Sequence, residues 1–92
     1  MFIVVSYDIV DDRRRAKVHK AMLNFGRRVQ YSVFECDIGA ETAKKMHDRL
    51  QALIAPKEDS VRFYFLDEDA VKKILTMGLG QIERAKPFYI IG

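Results

Sequence analysis

Two groups of residues in this 92-residue chain have types and spacing that could do chemistry. The first is a single carboxylate, Asp8, near the end of the apolar run 2–9. Mg²⁺ prefers carboxylate oxygen and keeps several of its waters, so one or two carboxylates plus a substrate phosphate complete a site. An ion held there could polarise a phosphodiester and help deprotonate an attacking water. The second group is basic: Arg13, Arg14 and Arg15, then Lys17 and Lys20, then Arg27 and Arg28. Guanidinium groups bind phosphate oxygens bidentately, which suits a nucleic-acid backbone. Each group also has a structural explanation. Asp8 could be only the ion-pair partner of Arg14 or Arg15, and the basic run only a solvated helix face. Asp11 and Asp12 suit helix capping better than metal ligation. His19 and His47 have no second residue at ligand spacing and read as structural.

Other chemistries lack their residues. Gly78 and Gly80 are not followed by Lys and Ser or Thr, so there is no phosphate-cradling loop. Phe63, Tyr64 and Phe65 lack the glycine-spaced signature of an RNA recognition motif, and no nucleophilic triad can be assembled. Cys36 is the only cysteine, which excludes an internal disulfide and a Cys-rich zinc cluster and fits a reducing cytoplasm. No apolar run approaches the roughly 18 residues of a membrane span, and the apolar N-terminus lacks the preceding positive charge of a secretory signal. A soluble, cytoplasmic protein is expected. The net charge of +3 is a mild bias whose placement matters more than its sum.

The elements that must position these residues follow from periodicity. Residues 2–9 are β-branched and aromatic, which predicts a strand. Ile3, Val5, Tyr7 and Ile9 fall on one face and Phe2, Val4, Ser6 and Asp8 on the other. Asp11 or Asp12 caps a helix in which Val18, Ala21, Met22 and Phe25 make the buried stripe and Gly26 the stop. Its N-terminal end places Arg14 and Arg15 within reach of Asp8. Residues 29–38 are strand-like but change parity, which predicts a bulge or very tight turn near Ser32. Ala43, Met46, Leu50 and Leu53 mark a second helix closed by Pro56, and residues 61–66 a further strand. Residues 74–77 fit a short strand or the end of a short helix from Glu68. Residues 88–91 are strand-like again and could add to the edge of their own sheet or a neighbour's.

The expected fold is one α+β domain over residues 1–92, a ferredoxin-like βαββαβ sandwich with both helices on one face of the sheet. The other face would then carry Phe2, Val4 and the apolar side of the 61–66 strand. A patch of that size usually marks an interface, so a homodimer with stacked sheets is expected, with Asp8 approaching its symmetry mate.

The sequence Val5-Ser6-Tyr7-Asp8-Ile9 running into Asp11-Asp12-Arg13-Arg14-Arg15, then Arg28-Val29-Gln30-Tyr31-Ser32-Val33-Phe34-Glu35, closely resembles the CRISPR-associated Cas2 family. The Val61-Arg62-Phe63-Tyr64 strand and the chain length agree, so the resemblance covers nearly the whole chain. It implies a homodimeric, ferredoxin-like, Mg²⁺-dependent endonuclease (Mn²⁺ being the alternative ion) acting on RNA or DNA. It also implies a partnership with the CRISPR integrase, Cas1, in spacer acquisition. Asp8 would be the metal-binding and catalytic aspartate, with Tyr7 beside it. Arg15, Arg28 and Phe34 match family positions implicated in activity or substrate contact, and Lys17 stands where an arginine is frequent. Arg14 belongs to the same basic cluster, and the hydroxyl of Ser32 could bond phosphate or metal-bound water. Members of the family can also serve as scaffolds for integration without using a nuclease site. The alternatives are a toxin-like ribonuclease of the virulence-associated D type and a non-catalytic ferredoxin-like regulatory domain.

Overall fold

A computed structural model of the chain describes residues 1–80 and 82. The elements run β1 (Phe2–Asp8), α1 (Asp12–Met22), β2 (Arg27–Gln30), β3 (Val33–Asp37), α2 (Ala40–Leu53), β4 (Ser60–Leu66) and α3 (Glu68–Lys72). The sheet order is β2-β3-β1-β4, and every neighbouring pair is antiparallel. This is the expected βαββαβ arrangement, with β1 central. Of the two expectations for this stretch, a short helix from Glu68 forms but ends at Lys72, residues 74–77 form no strand, and the expected 88–91 strand lies outside the described residues.

Strand alternation sets the layers. Ile3, Val5, Tyr7 and Ile9 are buried with Val18 and Met22 of α1 and with Ala43, Met46 and Leu50 of α2, so both helices cover one face. Phe34 and Cys36 of β3 pair with Val5 and Ile3 and join the same core. Asp11 caps α1 by accepting the Arg14 N–H at 2.9 Å. The helix ends earlier than its apolar stripe implies: Leu23 is its C-cap, and Phe25 packs on the core from the following turn. Gly26 is needed for a reason other than stopping the helix. A Cβ there would lie 2.4 Å from the Glu35 carbonyl oxygen and 2.5 Å from Cys36 Sγ, so only glycine lets this segment lie against β3.

The parity change inside 29–38 is resolved by two devices. A register shift falls between Arg28 and Gln30, and Gln30 then pairs with Val33 across a turn made of Tyr31 and Ser32. The Tyr7 N–H donates to the Ser32 carbonyl at 3.1 Å, tying this turn to the end of β1.

The other face of the sheet differs from expectation. β4 pairs Val61 with Tyr7, Phe63 with Val5 and Phe65 with Ile3, and directly opposed residues share a face. The apolar side of β4 therefore faces the helices, where Val61 and Phe63 pack against the core. The open face receives Arg62, Tyr64 and Leu66 instead. Phe2 is only 1% exposed, so it is not part of a bare patch.

Candidate functional site

Asp8 is the last residue of β1, opposite Ser60, and its side chain is exposed on the open face of the sheet. Arg14 and Arg15 do not reach it. Arg14 donates from Nε to Asp59 at 2.6 Å and from Nη2 to Glu58 at 3.2 Å. Arg15 pairs with Asp12 and donates to the Ile9 carbonyl at 3.1 Å. The alternative in which Asp8 serves only as ion-pair partner of Arg14 or Arg15 is thus not what forms: each arginine is held in another network. Asp8 is left without an ion pair among the described residues.

The basic cluster does not form one ridge. Arg14 is held by the turn before β4. Lys17 and Lys20 lie with Arg49 of α2 along a shallow groove between the two helices. Arg15 belongs to the opposite flank of α1, as helical spacing requires for residues two positions apart. There it lines a cavity of about 420 Å³ with Tyr7, Asp12, Ala16, His19, Arg28 and Tyr31. Of the residues singled out from sequence, Tyr7, Arg15 and Arg28 are brought together; Asp8, Arg14 and Lys17 are each elsewhere.

The cavity is built by the same local rules. Arg15 and His19 are four apart on α1 and face the same way. Tyr7 is on the helix-facing side of β1, while Arg28 and Tyr31 come from β2 and its turn. The Arg28 guanidinium lies 5.1 Å from the centroid of the Tyr31 ring, a cation–π arrangement. Desolvation raises the Tyr7 phenol above its ordinary value although Arg28 and Arg15 pull it down. It is therefore protonated at neutral pH. The hydrogen bond to Asp12 raises Arg15 and keeps it charged.

Phe34 is fully buried, so it cannot touch a ligand directly as a substrate-contact residue would. Its ring lies 6.3 Å from that of Tyr7 and 5.6 Å from that of His19, and it backs the cavity wall. Ser32 is half-buried, and it is its backbone carbonyl that Tyr7 uses. Two cavity residues, His19 and Tyr31, carry no functional mark in the sequence pattern. The available signal for His19 is its four-residue spacing from Arg15, and for Tyr31 its place beside Ser32 in the tight turn.

Tyr7 and Asp8 are neighbours in a strand and so point to opposite faces. Within one chain they cannot meet the same phosphate. Among the described residues no three His, Cys, Asp or Glu side chains are placed to hold a metal together.

The fold and these two faces define a class: a small ferredoxin-like α+β domain with a bare carboxylate on one side of its central strand and a cationic aromatic cavity on the other. The chain belongs to the family of CRISPR associated protein Cas2, whose family model matches residues 1–74. A protein of Chloroflexus aurantiacus named CRISPR-associated endoribonuclease Cas2 3 is 41% identical over 91 residues, covering 99% of this chain and 98% of that one. The crystal structure of Streptococcus pyogenes Cas2 at pH 6.5 superposes with a TM-score of 0.75 at 34% identity, over 85% of this chain and 100% of that one. A chain of a partial Cas6-RT-Cas1–Cas2 complex gives a TM-score of 0.72 at 26% identity, over 83% of this chain and 89% of that one.

Proposed function

We propose that this protein is a metal-dependent endonuclease of CRISPR spacer acquisition, cutting RNA or DNA phosphodiesters as a homodimer and working with Cas1. The observation that carries the reading is Asp8: an exposed carboxylate at the end of the central strand, with both neighbouring arginines committed elsewhere. A carboxylate whose only task was an ion pair would sit beside one of them. The names of the relatives support ribonuclease activity, and the likeness to a chain of a Cas1–Cas2 assembly supports the Cas1 partnership.

Among the described residues no group of three or more ligating side chains forms around Asp8, so Mg²⁺ or Mn²⁺ would fit there only where waters, substrate phosphate or a second copy complete the shell. Asp8 would hold the ion, and the ion would supply charge neutralisation and an activated water at the phosphodiester. The second copy is supported by Leu75, Met77 and Leu79, which are 93%, 96% and 105% exposed. Side chains so apolar and so exposed mark a surface that a partner covers. Tyr7, on the opposite face, contributes as a hydrogen-bond donor to nucleic acid. Arg15, Arg28 and Lys17 contribute phosphate contacts, and Ser32 shapes the turn that carries Tyr31. No described helix is long and apolar enough to cross a membrane.

A scaffold role in integration is the second reading, supported by basic side chains on both flanks of α1 and by the lack, among the described residues, of a group of three metal-ligating side chains. Cleavage of matched RNA and DNA strands, with and without Mg²⁺ or Mn²⁺, tests the nuclease reading. Asp8→Asn removes the charge and keeps the shape. It should abolish metal-dependent cleavage while folding and association are retained, and undiminished cleavage by the variant would exclude Asp8 as the metal-binding group.

A further inference from the structure

The cavity between α1 and the turn joining β2 to β3 lies on the opposite face of the sheet from Asp8, so within one chain its residues do not surround an ion held there. Its volume of about 420 Å³ falls within the range of small-molecule sites. Its polar groups are two guanidinium groups, the protonated Tyr7 phenol, the His19 imidazole and one carboxylate, Asp12, which Arg15 neutralises. Its flat groups are the Tyr31 ring, 69% exposed, and the Arg28 guanidinium lying over it. Aromatic rings and guanidinium planes are the two surfaces on which proteins stack unpaired bases.

We propose that this cavity takes one unpaired nucleotide of a single strand, with the base stacked against the exposed Tyr31 ring and the phosphate drawn to the Arg28 guanidinium, whereas Arg15 is held by Asp12. The inference rests on the reading that the protein binds nucleic acid, but not on cleavage at Asp8. A base within a duplex is already stacked on both sides and cannot enter without being unpaired, so the cavity discriminates single strands from duplexes. Phe34 acts as a positioning residue: buried behind Tyr7 and His19, it fixes the wall on which the nucleotide rests.

The test is binding in EDTA, where metal-dependent cleavage is silent. A short single strand carrying 2-aminopurine reports stacking as quenching, and a duplex of the same sequence and free adenosine monophosphate serve as comparisons. For the single strand, Tyr31→Ala should lose about ten- to hundredfold in affinity together with the quenching. Tyr31→Phe, which keeps the ring, should retain most of both. Duplex affinity should be unchanged by either substitution. Tyr31 is exposed, so the variants should unfold at the wild-type temperature, which circular dichroism checks.

Equal loss of single-strand and duplex binding in Tyr31→Ala would reduce the cavity to a general phosphate contact and overturn the proposal. So would wild-type single-strand affinity in that variant. Free adenosine monophosphate binding as tightly as the strand would make the occupant a free nucleotide and also overturn it. Loss of cleavage with stacking intact would leave the inference standing, whereas loss of stacking with cleavage intact would remove only the inference.

Discussion

Asp59 has a fully shielded carboxylate on which the Val10 N–H at 3.0 Å, the Ala55 N–H at 2.8 Å and two nitrogens of Arg14 at 2.6 and 3.0 Å converge. These bonds join the loop after β1 to the turn before β4. They explain why Arg14, a phosphate contact by its sequence neighbourhood, is held in the fold. Led by the Arg14 hydrogen bonds, they place the Asp59 carboxyl far below the usual carboxylate range. A depressed native value means that the unfolded chain binds the proton more tightly. The stabilisation is therefore complete above the unfolded value near 4 and lost as the pH falls below it. Denaturant midpoints measured from pH 7 down to pH 2 should fall steeply in the wild type. Asp59→Asn should start lower at pH 7 and decline less. The same geometry divides the arginines in a salt titration. Arg28→Ala and Lys17→Ala should each lower the slope of log affinity against log salt by about one. Arg14→Ala should lower thermal stability and leave the slope unchanged. If Arg14→Ala changed the slope without changing stability, the Asp59 network would not be what holds it. Cys36 is a simpler case: burial pushes its thiol up to about 11, so iodoacetamide should modify it only in denaturant.

Strand alternation makes much of the site legible, because the period-two pattern of β1 by itself assigns Tyr7 and Asp8 to opposite faces. The Asp11 cap, the apolar stripe of α2 and the tight turn at Ser32 are legible for a related reason: each is set by residues within a few positions of one another. The remainder depends on contacts distant in sequence. The apolar side of β4 is obvious from its own alternation, but which side meets the helices is decided by its register against β1, and that register puts Phe63 on the core and Arg62 on the open face. The partner of Arg14 lies 45 residues away and carries no local mark. Gly26 resembles a helix stop because glycine commonly is one, whereas its role is the close approach to β3. Gly26→Ala should therefore destabilise by about 1–3 kcal/mol through overpacking. A gain in stability, as expected at an unconstrained glycine, would show that the contact with Glu35 and Cys36 relaxes easily.

At the scale of the whole molecule, the proposed activity depends on a second copy supplying what one chain lacks. Replacing Leu75, Met77 and Leu79 together with Ser should shift sedimentation toward the monomer, since these exposed side chains have no packing inside the described fold to lose. An unchanged dimer would place the interface elsewhere. The stronger test concerns whether the two Asp8 carboxylates act together, as stacking open faces about a twofold axis would require. Wild-type and Asp8→Asn chains unfolded together and refolded at equal concentrations should give about one quarter wild-type pairs, one half mixed pairs and one quarter variant pairs by random association. If one ion is held by both carboxylates, only wild-type pairs cut, and activity per total chain falls to about a quarter of the wild-type value. If each chain holds its own ion, activity falls only to about a half. The shared-ion geometry predicts the quarter, and differently tagged chains allow the mixed pair to be purified and assayed alone. A mixed pair retaining half the wild-type rate would separate the two carboxylates and require each copy to complete its metal shell from substrate and water.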